Sequence, residues 1–157
     1  LTVAELFDLL RQHAEPMLGQ AGASCRWDNR CTTEATLRCN SDTLVGAVTN
    51  LIDNAIQAGG EKPRLKIFAR IIEGQLSLAV VDAGCGMDAA QRAQIGEPFF
   101  TTRSQGTGLG VSVVKSVAAA HGGAFYLRSK AGWGTCAELL LPLQPAHAAA
   151  DPEAKQA

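Results

Sequence analysis

An α+β domain is the fold class this sequence predicts, and three observations predict it. Apolar residues recur at helical spacing in three stretches, near residues 3–22, 41–58 and 107–121. Between and after them lie short runs of alternating or continuous apolar residues that read as strands. The chain has 157 residues, of which 46% are hydrophobic and 18% charged, enough for one globular domain with a core of useful size.

The first helix rests on Val3, Leu6, Phe7, Leu10 and His13 or Ala14. Pro16 is expected to start a second turn or to kink it, and Gly19 and Gly22 to end it. Cys25 to Asp28 reads as a short strand, and Thr36-Leu37-Arg38-Cys39 as another.

Asn40-Ser41-Asp42 is a helix start: a capping side chain, then an acid in the first turn. The second helix runs to about Ala58 and stops at Gly59-Gly60. Leu44, Val48, Leu51, Ala55 and Ala58 form its apolar stripe, widened by Val45, Ile52 and Ile56. Asn50 and Asn54 lie four apart and so project to one side, one turn apart. Two asparagines on such a helix either bridge neighbouring backbone or meet a ligand or metal.

Leu65, Ile67, Ala69 and Ile71 alternate with Lys66, Phe68 and Arg70, and after Glu73-Gly74 the alternation resumes at Leu76, Leu78 and Val80. This predicts a hairpin with one buried face. The second strand runs out through Val81-Asp82-Ala83-Gly84-Cys85-Gly86. An acid at a strand exit, followed by a glycine-rich turn, presents a carboxylate to a pocket or closes an ordinary Asx turn.

Residues 88–105 carry no clear period, and Glu97-Pro98-Phe99-Phe100-Thr101-Thr102-Arg103 stands out within them. A long loop beside a glycine run suits a lid. The run is Gly106-Thr107-Gly108-Leu109-Gly110, and it opens the third helix, which ends near His121 with Gly122-Gly123. Glycines let backbone N–H groups approach an anion, and a helix N-terminus adds favourable partial charge, so this is a candidate phosphate site. It is not a P-loop, because no Gly is followed by Lys-Ser or Lys-Thr. Gly84-Cys85-Gly86-Met87-Asp88-Ala89 fits a loose dinucleotide turn, but the acid expected about 20 residues on is missing and Glu97-Pro98 interrupts the helix that would be required. Two strands, Ala124-Phe125-Tyr126-Leu127 and Cys136 to Leu141, are joined through Gly132-Trp133-Gly134-Thr135. The Ala- and Pro-rich end, 144–157, reads as a disordered tail after a domain spanning 1–143.

A net charge of −1 gives no electrostatic case for nucleic acid or for an anionic membrane. No apolar run approaches the length of a membrane span. Cys25, Cys31, Cys39, Cys85 and Cys136 are odd in number and match no zinc spacing, so free thiols in a reducing cytoplasm are expected.

Taken in order, Asn50-x-x-x-Asn54, Asp82-x-Gly84-x-Gly86, Pro98-Phe99-Phe100, Gly106-x-Gly108-x-Gly110 and Gly132-x-Gly134-Thr135 resemble the N, G1, F, G2 and G3 boxes of the catalytic ATP-binding domain of sensor histidine kinases. The wider group includes the gyrase-, chaperone- and mismatch-repair-type ATPases. The boxes cover roughly residues 44–141, and Phe-Phe-Thr-Thr-Arg before Gly-Thr-Gly-Leu-Gly is similar to the nitrogen-regulation subgroup and its flagellar-regulatory relatives.

The resemblance implies a two-layer α/β sandwich, with a mixed, mostly antiparallel sheet carrying helices on one face. It implies ATP and Mg²⁺ as ligands. Asn54 would hold Mg²⁺ with Asn50 beside it near the phosphates; Mg²⁺ favours oxygen ligands and bridges phosphates. Asp82 would accept from the adenine amino group, Gly84 and Gly86 would admit the base, and Met87 would form an apolar wall. Gly106, Thr107, Gly108, Leu109 and Gly110 would cradle the phosphates. Phe100, Thr101, Thr102 and Arg103 belong to the lid side, with Thr102 and Arg103 reaching for the γ-phosphate. Thr135 would help fix the base, directly or through water.

Three departures accompany the likeness. Ala58 stands where many members place an aromatic on the adenine, Ala137 where Phe is usual, and the loop between the F and G2 boxes is short. No acceptor box is present: His13 is followed by Ala14-Glu15-Pro16, His121 ends a helix that it is expected to cap, and His147 lies in the tail. The implied partners are therefore a separate dimerisation and phosphoacceptor domain and a downstream response regulator, with no nucleic acid and no membrane contact by this segment. Two alternatives use the same pocket, an ATP-hydrolysing switch and a serine-kinase anti-sigma module. The hydrolysing relatives carry Glu where Asn50 stands, and Asn cannot take a proton.

Overall fold

Apolar periodicity sorts the chain into two layers in the computed structural model, which describes residues 1–32, 34–84 and 110–144. The elements are α1 (Val3–Ala21), β1 (Ser24–Asn29), α2 (Ser41–Ala58), β2 (Arg64–Ile72), β3 (Gln75–Asp82), α3 (Gly110–Ala120), β4 (Ala124–Lys130) and β5 (Gly134–Pro142). One sheet runs in the order β1-β2-β3-β5-β4. β1 and β2 are parallel, and every other neighbouring pair is antiparallel.

The helices cover one face of that sheet. Leu65, Ile67, Leu76, Leu78, Val80, Ala137, Leu139 and Leu141 share a single core with Leu6 and Leu10 of α1, Leu44, Val48 and Ile52 of α2, and Val114 of α3. This is the expected sandwich. Burying side chains of this size contributes about 1.5–3 kcal/mol each and sets the sheet register, since a one-residue slip would turn the whole set to water. β3 is the middle strand and is buried on both faces from Leu76 to Val80. On its outer side Ser77 donates to Glu138, whose other oxygen accepts from Arg128 Nη2 at 2.8 Å. Glu73 and Gly74 turn the β2–β3 hairpin with φ of 50 and 75°, the pair of positive angles that matches strand twist.

The structure corrects several boundaries. Pro16 starts no second element: α1 passes through it as one helix with Pro16 exposed. The proline removes one backbone hydrogen bond, but Leu10, Ala14 and Leu18 on both sides of it are buried, and that burial holds the helix together. Gly22, not Gly19, closes it, with Gly22 N–H bonding Gly19 O and Ala23 N–H bonding Leu18 O. Residues 36–39 form no strand. They are held by a single bridge between Thr2 and Thr36, by Leu37 N–H to Leu1 O and by Gln144 N–H to Thr36 O, contacts with isolated residues rather than with a neighbouring strand, and of the four Leu37 is the one driven into the core. Ile71 lies outside the buried core, 40% exposed, next to the β2–β3 turn. Thr135 belongs to β5, not to the turn before it. Leu143 N–H bonds Gly74 O and Gln144 N–H bonds Thr36 O; residues 145–157, the rest of the expected tail, lie outside the described residues.

Candidate nucleotide site

α2 is the rod on which the site is built, and it is anchored at its start. Asn40 Oδ1 accepts from Thr43 N–H at 3.2 Å. The Asn40 N–H itself donates to His121 Nε2 at 3.0 Å, and His121 Nδ1–H donates to Val117 O at 2.8 Å. His121 therefore caps α3, as expected, and also ties the end of α3 to the start of α2. These two bonds fix the neutral tautomer with its proton on Nδ1.

Leu44, Val48, Leu51, Ile52 and Ala55 turn to the core, and Asn50 and Asn54 sit half-buried beside that stripe, one turn apart. Their amides are neither sealed in the core nor out in bulk water. That position suits a polar group with a ligand to meet.

The far end of α2 meets the exit of β3. A Cβ on Gly84 would stand 2.6 Å from Ala58 O and 2.9 Å from Ala58 Cβ, so only glycine lets the two chain segments touch. Ala58 is thus positioned by backbone contact with the G1 stretch. Asn54 lies one turn before it, so the proposed magnesium ligand and the strand exit share one end of the domain.

Asp82 is the last residue of β3 and only 8% exposed. Its Oδ1 accepts from Gly84 N–H at 2.8 Å, and Thr135 N–H also donates to the carboxylate. Burial pushes its pKa up; the two N–H bonds pull it down, and burial wins. Asp82 pairs with Thr135 across β3–β5, and Thr135 pairs with Ser129 across β4–β5. The three side chains therefore form one row on the helix-facing side, at the end where the apolar ladder stops. Ser129 Oγ lies 2.7 Å from Thr135 Oγ1 and donates to Gly134 O at 3.0 Å. Gly134, at φ 99°, brings the start of β5 so close that a Cβ there would lie 2.2 Å from Asp82 O. Chemically, this end of the sheet offers a buried carboxylate and a hydroxyl to whatever enters beside α2. An exocyclic amine is the complementary group.

Of the predicted site residues, the structure brings together Ala58, Asp82, Gly84 and Thr135, places Asn50 and Asn54 on the same helix as Ala58, and opens α3 at Gly110. Gly86, Met87, Phe100, Thr101, Thr102, Arg103, Gly106, Thr107, Gly108 and Leu109 lie outside the described residues. Sequence reading missed Ser129. The alternation Phe125, Leu127, Ser129 was the available signal, since it carries Ser129 to the inner face. Cys25, Cys31, Cys39 and Cys136 are free thiols. Burial raises each of their pKa values, Cys25 to about 11, so they are not thiolates at neutral pH.

Comparison with known proteins agrees with this geometry. Residues 39–145 match the family of histidine kinase-, DNA gyrase B- and HSP90-like ATPases. The chain is 53% identical over 142 residues to the sensor protein kinase FleS of Pseudomonas aeruginosa, covering 90% of this chain and 34% of that protein. It is 34% identical over 137 residues to the sensor histidine kinase ZraS of Escherichia coli, covering 85% of this chain and 30% of that one. The chain thus spans about a third of the length of these curated relatives. Among solved structures, the catalytic domain of histidine kinase ThkA superposes with a TM-score of 0.79 at 23% identity, covering 90% of this chain and 93% of that one. The mycobacterial sensor histidine kinase MprB gives 0.79 at 24%, covering 92% and 98%. Five boxes in order, a helix-backed mixed sheet with Asp82 at its rim, and these matches together place the chain in the histidine kinase-, DNA gyrase B- and HSP90-like ATPase family, as a catalytic ATP-binding domain of the sensor histidine kinase type.

Proposed function

We propose that this domain binds ATP with Mg²⁺ and delivers the γ-phosphoryl group to a histidine on a dimerisation domain outside this chain, from which it passes to a response regulator. The observation that carries the proposal is the convergence of α2, the β3 exit and Thr135 at one end of the sheet. Asp82 and Thr135 would hold the adenine edge, and Asn50 and Asn54 would lie toward the phosphates. Asn54 would ligate Mg²⁺. No three His, Cys, Asp or Glu side chains gather into a metal-holding group among the described residues. A single amide oxygen at the rim fits a cation that arrives with phosphates and keeps its waters. That ion supplies charge neutralisation on the phosphates.

Phosphoryl transfer asks chiefly for positioning and charge stabilisation, and the residues of this chain provide both by holding the nucleotide at a fixed rim. Thr102 and Arg103 are proposed to reach the γ-phosphate, and the Gly106–Gly110 run to cradle the phosphates. The Phe99–Arg103 wording supports the nitrogen-regulation type of sensor kinase, and a cytoplasmic site of action follows from ATP use. No helix among the described residues is long and apolar enough to cross a membrane.

The test is radiolabelling with γ-³²P-ATP. The chain alone should take up no label on histidine, because it has no acceptor box, and should label an added acceptor domain. Strong self-labelling on His13, His121 or His147 would overturn this assignment, and steady hydrolysis without transfer would favour the ATP-hydrolysing switch.

A further inference from the structure

The row Asp82–Thr135–Ser129 has a proton inventory that goes beyond binding. Gly134 O is a carbonyl and can only accept, so the 3.0 Å bond uses the one hydroxyl proton of Ser129. The 2.7 Å contact between Ser129 Oγ and Thr135 Oγ1 then needs the proton of Thr135. Ser129 is 8% exposed and its bond to Gly134 O is buried, so water does not readily replace that bond and the Ser129 proton stays committed to it. Thr135 is left with lone pairs only on its open side. Asp82, as a carboxylate, also offers lone pairs only.

We infer that Ser129 is a positioning residue that locks the Thr135 hydroxyl as an acceptor, and that this lock sets the preference for a 6-amino over a 6-oxo purine. The inference rests on the adenine reading of the Asp82 rim and extends it. An acceptor-only edge suits the two N–H groups of an exocyclic amine. A 6-oxo base brings an oxygen to the same place, where it meets another lone pair. A bridging water transmits the same rule: having given its protons to Asp82 and Thr135, it offers the base only a lone pair. Without Ser129 the Thr135 hydroxyl turns freely and can donate to a 6-oxo oxygen. Discrimination then falls even though no residue touching the base has changed.

The test is titration calorimetry of the full chain with ATP and with inosine triphosphate, which carries a 6-oxo group. Ser129→Ala should reduce the ATP-to-inosine-triphosphate affinity ratio about tenfold, the scale of one hydrogen bond gained or lost. Ser129→Thr, which keeps the hydroxyl, should restore it. If Ser129→Ala does not fold, Thr135→Val carries the test: removing the locked acceptor should also lower the ratio. A folded Ser129→Ala variant with the wild-type ratio overturns the inference, as does an unchanged ratio in Thr135→Val. Asp82→Asn is the control. If it too leaves ATP affinity unchanged, the adenine reading has failed; if it weakens ATP while Ser129→Ala keeps the ratio, only the lock has failed.

Discussion

Replacing Asp82 with Asn should weaken ATP binding by about 1–3 kcal/mol, the range for a hydrogen bond to a charged partner, while leaving the fold nearly as stable. The binding loss follows from the geometry. Asp82 stands at the sheet rim, oriented by N–H bonds from Gly84 and Thr135, and an amide in its place presents a donor where the adenine amino group also donates. Stability responds in the opposite direction. Burial raises the pKa of Asp82 above its unfolded value, so the native state holds this proton more tightly than the unfolded chain. As pH rises through the unfolded carboxylate value, the unfolded chain ionises first and this residue's contribution to stability falls, reaching its minimum once pH passes the raised folded value. At neutral pH the ionised group therefore costs the fold something, as functional groups at a binding rim often do. Asn removes that cost but gives up one of the two N–H bonds. The two changes offset, and the unfolding free energy should change by less than about 1 kcal/mol. Calorimetry and urea melts on the same preparation check both halves; equal ATP affinities would remove Asp82 from the site.

The second large effect concerns Asn50. It lies one turn before Asn54 on the same margin of α2, half-buried. If Asn54 holds the cation, position 50 faces the region of the γ-phosphate. Asn can orient a water but cannot take its proton, whereas a carboxylate there can act as a base. Well-placed general bases contribute about 10²–10⁴-fold, and Asn50→Glu should raise steady-state ATP hydrolysis by up to that factor. The native Asn would then spare ATP for a histidine, which is its own nucleophile. Added negative charge also repels phosphate, so affinity is measured beside turnover. Bound nucleotide with unchanged hydrolysis would show that position 50 does not choose between water and histidine.

Much of this architecture was legible in the residues because the signals were redundant. α2 has a capping Asn40, a wide apolar stripe and a glycine stop, and its observed ends match that reading. The hairpin was marked by alternation on both sides of Glu73-Gly74, and α3 ends at Ala120, next to His121, as read. The failures share one cause, since a partner distant in sequence decided each outcome. Residues 36–39 have strand composition but find only isolated partners at Leu1, Thr2 and Gln144. Pro16 breaks helices in isolation, yet α1 is held by its packing. Ser129 and the second bond of His121 depend on cross-strand register and on α2–α3 contact, neither of which local pattern encodes. At the site, the box spacing pointed to Asn54, Asp82 and Thr135. What spacing did not contain was the Ala58–Gly84 contact that joins the helix to the strand exit.

Nucleotide is proposed to sit where α2, the β3 exit and the start of β5 meet. Amide chemical shifts of the ¹⁵N-labelled chain, recorded while a non-hydrolysable ATP analogue and Mg²⁺ are added, test it most directly. The account predicts saturable shifts in the backbone amides of Ala58, Asp82, Gly84 and Thr135 and in the side-chain amides of Asn50 and Asn54, with the Glu73–Gly74 turn at the opposite end of the sheet unmoved. Shifts centred on that turn, or on the outer face around Phe68 and Glu138, with Asp82 and Asn54 unmoved, would contradict it.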